Sequence, residues 1–209
     1  MKPKGKPVKW SPEIAYVVGL ITTDGNLSPD GTHLEITSND FQLLETAKNC
    51  LGIKNRITPK FSGSTGWKSS YRIQFENVIF YKWLLVIGLM PNKSKRIKSL
   101  KIPDKYFFHF LRGHLDGDGN ILKYQDRVFP NSQRLYLRFS CASVIHHKWL
   151  QKSIKRLAKI NGRIKKDAIY VLVYAKRESL KLLPKIYINK DIPCLIRKYE
   201  SVKEFLMPR

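Results

Sequence analysis

Tyr16-Val-Val-Gly-Leu-Ile-Thr-Thr-Asp24-Gly-Asn-Leu27 and Phe110-Leu-Arg-Gly-His-Leu-Asp-Gly-Asp118-Gly-Asn-Ile121 are two readings of one pattern. Each has a glycine, two residues, a polar position, one residue, and then Asp-Gly-Asn-apolar, at an offset of 118 − 24 = 94. Further matches follow in order: Leu34–Asp40 with Leu137–Ser143, Asn55-Arg56-Ile57 with Gly162-Arg163-Ile164, and Asn92-Lys93-Ser94 with Asn189-Lys190-Asp191. Four matches in register identify an internal duplication of a unit of about a hundred residues.

Each unit has the same coarse order. Ser11-Pro12-Glu13 is a helix start, with Ser as N-cap, Pro in the first turn and an acid behind it. The run Ile14–Ile21 is apolar on all sides, which predicts a helix buried on most of its surface. Asp104 after Ile102-Pro103 is expected to open the second unit's helix, Tyr106–Leu115, in the same way. Alternation predicts strands at His33–Thr37, Tyr71–Phe75, Leu135–Ser140 and Ile169–Tyr174. Amphipathic helices are expected at Phe41–Leu51, Val78–Leu89, Val144–Ile160 and Glu178–Ile186. The fold class is α+β: a helix, two strands, a helix, two strands and a helix per half, related by a pseudo-twofold axis. The expected division is a basic arm over 1–10, a first half over 11–101 and a second over 102–209.

The 209 residues carry 39 Lys+Arg against 16 Asp+Glu, a net charge of 39 − 16 = +23. With 43% hydrophobic residues the chain has a core to build and is not of disordered composition. A charge excess spread over the whole sequence points to a polyanionic partner, most often nucleic acid. A merely soluble basic protein, or one bound to anionic lipid, is the alternative. The apolar stretches Ile14–Ile21 and Trp83–Met90 fall short of the ~20 residues that span a bilayer, so no membrane role is expected. Residues 1–10 are basic without an apolar region behind them, unlike a secretory signal. Cys50, Cys141 and Cys194 form neither a disulfide framework nor a CxxC zinc site, which fits an intracellular, reducing compartment.

Asp24 and Asp118 sit where a buried helix ends, at the negative pole of its dipole. An Asp-Gly there is often only a stop or a turn. A carboxylate beside exposed carbonyls also suits a divalent cation, and oxygen donors of this kind suit Mg²⁺. Asp116-x-Asp118-x-Asn120 imitates the start of an EF-hand, but that loop needs Gly and Glu where Ile121 and Arg127 stand.

Val17-Val-Gly-Leu-Ile-Thr-Thr-Asp-Gly25 and Leu111-Arg-Gly-His-Leu-Asp-Gly-Asp-Gly119 resemble the two LAGLIDADG motifs of a single-chain homing endonuclease. The resemblance covers nearly the whole chain, including the linker Pro91-Asn-Lys-Ser. The first motif departs from the family at Thr22-Thr23, where an acid and a small residue are usual. The resemblance implies that Gly19 and Gly113 let two motif helices cross closely. It maps the metal-binding carboxylates onto Asp24 and Asp118, with the backbone carbonyls of Thr23 and Gly117. It implies Mg²⁺-dependent double-strand cleavage across the minor groove of a long, partly palindromic site, leaving 3′ overhangs. Mn²⁺ would substitute, and Ca²⁺ would support binding alone. Lys93 and Lys190, matched by their Asn-Lys setting, are candidates for the family's catalytic basic residues that position water and offset transition-state charge beside the phosphates, or two surface lysines. Ser38 and Cys141 hold the strand-end position where the family often has a longer polar side chain.

In this family each half's sheet lies in the major groove of double-stranded DNA. Alternation puts Arg72 and Gln74 on one face, Tyr136 and Arg138 on another, and His33, Glu35 and Thr37 together on a third strand. Arg and Gln suit guanine and adenine edges; a solvated sheet face gives the same alternation. Lys60, Lys68, Lys123, Gln125 and Arg127 are expected in loops as phosphate or flanking-base contacts, and His146-His147 as structural. The expected protein is a monomer. An RNA-binding intron maturase and a catalytically silent DNA-binding regulator are the competing functions; an intein nuclease is disfavoured, because no splicing segments flank the two units.

Overall fold

The structure, a computed structural model, describes residues 7–61, 67–166, 168–188 and 191–206. Two four-stranded antiparallel sheets carry the same topology. The first half runs α1 (Pro12–Asp24), β1 (Gly25–Leu27), β2 (His33–Ser38), α2 (Phe41–Leu51), β3 (Ile57–Phe61), β4 (Lys68–Glu76) and α3 (Val78–Ile87). The second runs α4 (Phe107–Asp116), β5 (Gly119–Gln125), β6 (Gln133–Cys141), α5 (Val144–Ala158), β7 (Arg163–Lys166), β8 (Tyr170–Tyr174), α6 (Lys176–Ile186) and a final helix α7 (Ile196–Val202). The strand orders, β1-β2-β4-β3 and β5-β6-β8-β7, superpose one half's plan on the other.

Local chemistry sets these boundaries. Ser11 caps α1, its hydroxyl accepting the Ile14 N–H at 3.2 Å with Pro12 in the first turn. Asp40 and Ser143, matched by the repeat, stand at the N-caps of the equivalent helices α2 and α5. Asp104 does not cap the second motif helix. Residues Asp104–Tyr106 form a 3₁₀ turn ahead of α4, and the Asp104 carboxylate is taken by the Arg156 guanidinium at 2.5 Å. A charge-assisted bidentate pair outcompetes a neutral N–H for those oxygens. α5 also stops short of Ile160, because Lys159 turns left-handed.

Helix α1 is buried from Ala15 to Thr22 and α4 from Phe110 to Asp116, so the two motif helices form the centre of the molecule. Leu34, Ile36, Ile73 and Phe75 of the first sheet pack beneath the helices, as do Leu135, Leu137, Phe139 and Leu172 of the second. His146 and His147 belong to this interior, as expected of structural residues. The His146 Nδ1–H donates to the Lys98 carbonyl at 2.8 Å and the His147 Nε2–H to the Phe139 carbonyl at 2.8 Å.

Candidate carboxylate pair and nucleic-acid interface

The site begins with the absence of two side chains. A Cβ on Gly19 would stand 2.2 Å from the Phe110 carbonyl oxygen, and one on Gly113 2.0 Å from that of Tyr16. Only glycine lets α1 and α4 touch backbone to backbone. That crossing brings their C-terminal ends together. Asp24 closes α1, and Asp118 lies two residues beyond α4. The turns meet: a Cβ at Gly117 would lie 2.6 Å from Asp24 Oδ2.

Both carboxylates are costlier to ionise here than in water. Burial pushes Asp24 up to about 7, with Asp118 the next cause. Asp118, open to solvent on one side, is also raised by the protein packed around it. Two buried lysines offset this field. The Lys93 ammonium donates to the Gly25 carbonyl. Lys198 fills the corresponding place in the second half. Its Nζ faces the carbonyls of Leu115, Asp116 and Gly119 at 2.6, 2.8 and 2.7 Å, and that of Gly117 at 3.2 Å. Burial lowers both amines, Lys198 to about 8. Gly25 and Gly119 are equivalent through the repeat, so the structure pairs Lys93 with Lys198. Lys190, its partner by sequence, lies outside the described residues. Sequence reasoning missed Lys198 because it enters on α7, a helix without counterpart at Lys93, and Leu-Ile-Arg-Lys-Tyr199 shares no spacing with Asn92-Lys93-Ser94.

Helix α7 is fastened around this amine. Asp116, fully buried, accepts from the Tyr16 hydroxyl at 2.9 Å, the Leu195 N–H at 2.7 Å and the Tyr187 hydroxyl at 3.2 Å. Arg197 forks onto Asp40 of the first half at 2.7 and 2.9 Å. Thr22, at the position matching Asp116, donates to the Val18 carbonyl of its own helix at 2.7 Å and makes no such clasp. The first motif's departure from the family thus falls on helix packing.

The donor set fits a hard divalent cation. Two carboxylates and the adjoining backbone carbonyls offer only oxygen, neither carboxylate is hydrogen-bonded by a lysine among the described residues, and a cation beside them would offset the cost of burying their charge. No cluster of three or more His, Cys, Asp or Glu able to hold a metal occurs among the described residues. Such a site would therefore complete its shell with water and a substrate oxygen, as Mg²⁺ does. The Gly117 carbonyl shares its oxygen with Lys198. An open cleft of about 450 Å³ beside Asp24 is lined by Thr37, Ser38, Ser70, Gly117 and Arg197. Ser38 Oγ accepts the Asp40 N–H at 3.0 Å, and Cys141 Sγ the Ser143 N–H at 3.4 Å. The two residues are structural equivalents.

The outer sheet faces are polar as the alternation predicts. Register places Asn26, Glu35 and Gln74 across the first sheet, with Thr37, Arg72 and Thr58 as the next row and Lys60 opposite Ser70. Glu35 accepts from Lys60 at 2.7 Å and lies 3.5 Å from Arg72. His33 is held to Asp30 at 2.6 Å. On the second sheet, Asn120, Arg138, Val173 and Arg163 form one row, and Tyr136 stacks with Tyr124 at 6.3 Å. Asn26, Asn120 and Arg163 join these rows; β1 and β7, with three and four residues, show too little alternation in the sequence to assign a face.

Several loop expectations are corrected. Lys60 is on β3, Lys68 on β4, and Lys123 and Gln125 on β5; only Arg127 lies in a turn. Lys123 shares the face of Leu135, opposite to Tyr136 and Arg138, and donates to Glu204 at 2.8 Å and to the Ser201 carbonyl at 3.3 Å. Gln125 follows the same parity, two residues on along the strand. Both are directed away from the polar face.

No family model matches the sequence, and no curated protein matches it. Solved structures do. The homing endonuclease I-WcaI bound to its DNA recognition sequence shares 15% identity with a TM-score of 0.65, over 96% of this chain and 89% of that one. The LAGLIDADG meganuclease I-AabMI bound to uncleaved DNA shares 15% with a TM-score of 0.61, over 94% and 89%. Full-length DUF199/WhiA from Thermatoga maritima shares 16% with a TM-score of 0.60, over 95% of this chain; the chain spans 62% of that protein's length. The N-terminal LAGLIDADG domain of DUF199/WhiA is covered to 88%, with a TM-score of 0.59.

Proposed function

We propose that this chain, whose fold is that of the LAGLIDADG homing endonucleases, is a sequence-specific, Mg²⁺-dependent DNA endonuclease acting as a monomer on a long, partly palindromic duplex. The observation that carries the reading is the carboxylate pair: Asp24 and Asp118 at the foot of two glycine-crossed helices, each turn supported by one buried lysine, between two sheets of identical topology. Two antiparallel strands need two equivalent centres, and duplication supplies them.

The sheets' polar faces bind and orient the duplex, with Arg72, Gln74, Tyr136 and Arg138 toward base edges. Asp24 with the Thr23 carbonyl, and Asp118 with the Gly117 carbonyl, would each hold a divalent cation, which would supply an acidified water and stabilise the leaving oxygen at one strand. Lys93 and Lys198 place fixed positive charge beside the scissile phosphates, where negative charge grows in the transition state. Ser38 and Cys141 close the two centres toward the strand ends. Phosphodiester hydrolysis across the minor groove, leaving 3′ overhangs, is what the resemblance to the family implies for two such centres.

The test is selection of binding sites from randomised duplex DNA in Ca²⁺, followed by transfer of the winners to Mg²⁺ or Mn²⁺. Enrichment of one long site that Mg²⁺ then cuts on both strands is the expected result. Asp24→Asn and Asp118→Asn should each bind that site and fail on at least one strand. Binding without cutting by the unaltered chain would reassign it as a DNA-binding protein, and no enrichment would redirect the search to folded intron RNA.

A further inference from the structure

Helix α5 and its C-cap residue carry four lysines on the side turned away from the sheet. Lys148, Lys152, Lys155 and Lys159 are spaced four, three and four residues apart, so they share one face over about 16 Å of helix. All four are exposed, and none of their side chains has a hydrogen-bond or ion-pair partner among the described residues. Three of them, with Arg156 and Asn161, line an open cleft of about 420 Å³. The opposite side of α5 is spent on the core: Leu150 and Ile154 are buried, and Trp149 packs on Phe107 and Phe110.

The stripe is held at a cost and is not inherited from the duplicated fold. Like charges three and four apart on a helix repel. Lys159 also adopts a left-handed conformation, φ 59° and ψ 34°, where the first half's equivalent helix ends on Gly52 at φ 63° and ψ 28°. The turn is the same, and a lysine stands where glycine would be unstrained. Counting from the N-caps Asp40 and Ser143, Lys148 corresponds to Glu45 and Lys152 to Asn49. Only the second half carries this charge.

We propose that α5 and its cleft form a second nucleic-acid surface, which takes the phosphate backbone of a folded RNA independently of any DNA on the sheets. The lysines lie across the helix layer from Arg138 and Tyr136, and a duplex on the sheets, stiff over about 150 base pairs, does not bend back to reach them. With Leu150 and Ile154 buried, Ile145 is the one large apolar side chain that α5 exposes, too little to insert into a membrane. A concave cleft gathering several cations matches the sharply turned, projecting backbone of folded RNA better than the smooth convex surface of a B-form duplex. Asn161 adds a carboxamide that can donate to or accept from a 2′-hydroxyl.

The test uses the full chain and fluorescence anisotropy with two labelled probes, a transfer RNA transcript and a random-sequence DNA duplex. Lys152→Ala/Lys155→Ala/Lys159→Gly should bind the transfer RNA at least tenfold more weakly, with the salt slope shallower by about 2, while duplex affinity changes less than twofold. Its Tm should not fall, because repulsion and a left-handed lysine are removed together. Lys152→Glu alone should lower RNA binding in the same direction. Arg72→Ala/Arg138→Ala, on the sheets, should do the reverse, weakening the duplex and sparing the RNA. Unchanged RNA binding in both α5 variants overturns the proposal, as does equal loss on both probes, which would mean a diffuse field, or loss on the duplex alone, which would make α5 a DNA contact. The sheet variant fails separately: unchanged duplex affinity there would count against the endonuclease reading and leave the α5 result standing.

Discussion

At the scale of single residues, the two glycines and two aspartates were legible and the second lysine was not. Gly19, Gly113, Asp24 and Asp118 recur at one spacing, so the duplication itself marks them. Lys198 reaches its carbonyls from a segment with no counterpart in the first half, and tertiary contact alone reveals it. The glycine positions make a sharp prediction. A methyl at Gly113 would lie 2.0 Å from the Tyr16 carbonyl oxygen, backbone that has nowhere to move, since Gly19 Cα is only 3.1 Å away. Gly113→Ala should therefore destabilise by about 3 kcal/mol or more, the upper end of overpacking penalties, and Gly19→Ala similarly. Urea denaturation measures it. A loss below about 1 kcal/mol would mean that the helices do not cross at these residues.

Among the elements, those with an autonomous signal were read closely. Phe41–Leu51 has the expected bounds, and α1 starts at Pro12 behind its serine cap. Where the signal depended on a competitor, the reading failed: Asp104 had the chemistry of a cap and was claimed by Arg156. Helix α7 is seven residues long, too short to show periodicity, and is held from outside by Asp116. Asp116→Ala should cost about 3 kcal/mol or more, because the Tyr16 and Tyr187 hydroxyls and the Leu195 N–H would be left buried without an acceptor. Asp116→Asn should be far milder, since its carboxamide oxygen still accepts and its NH₂ can donate to Tyr187. Equal loss in the two variants would deny the clasp. The histidines under α5 give a pH signature. Burial pushes His146 down to about 4 from an unfolded value near 6.5, and lowers His147 and His114 as well. Between those values the unfolded chain binds a proton that the folded chain refuses, so His146's contribution is complete above pH 6.5 and is lost as pH falls toward 4. That loss amounts to at most about 3 kcal/mol. The Tm advantage of the unaltered protein over His146→Asn should be largest near pH 7.5 and shrink toward pH 4.5; a constant gap would show that His146 titrates normally.

For the molecule as a whole, the repeat told the architecture before any element was placed, because two copies of one unit must present two equivalent sheets. Charge points to a polyanionic partner, but not to which basic residues would face it. Lys123 illustrates why: its spacing suits a groove contact, while strand parity and Glu204 turn it toward the helices. Burial of one face fixes parity, and an exposed edge strand carries too little apolar pattern to reveal it in sequence. The summed field nevertheless has a measurable consequence. With a net charge of +23 and basic residues on both sheets, about ten phosphates neutralised in a selected duplex would release their counterions, giving log K against log salt a slope of about −9. Affinity should then fall about 10⁵-fold between 50 and 200 mM salt. Arg72→Ala and Arg138→Ala should weaken every duplex through lost charge and the selected one more, flattening discrimination between the selected duplex and a scrambled one. A slope near zero would mean that the charge serves solubility alone; a steep slope with no discrimination to lose would mean that the sheets hold backbone without reading sequence.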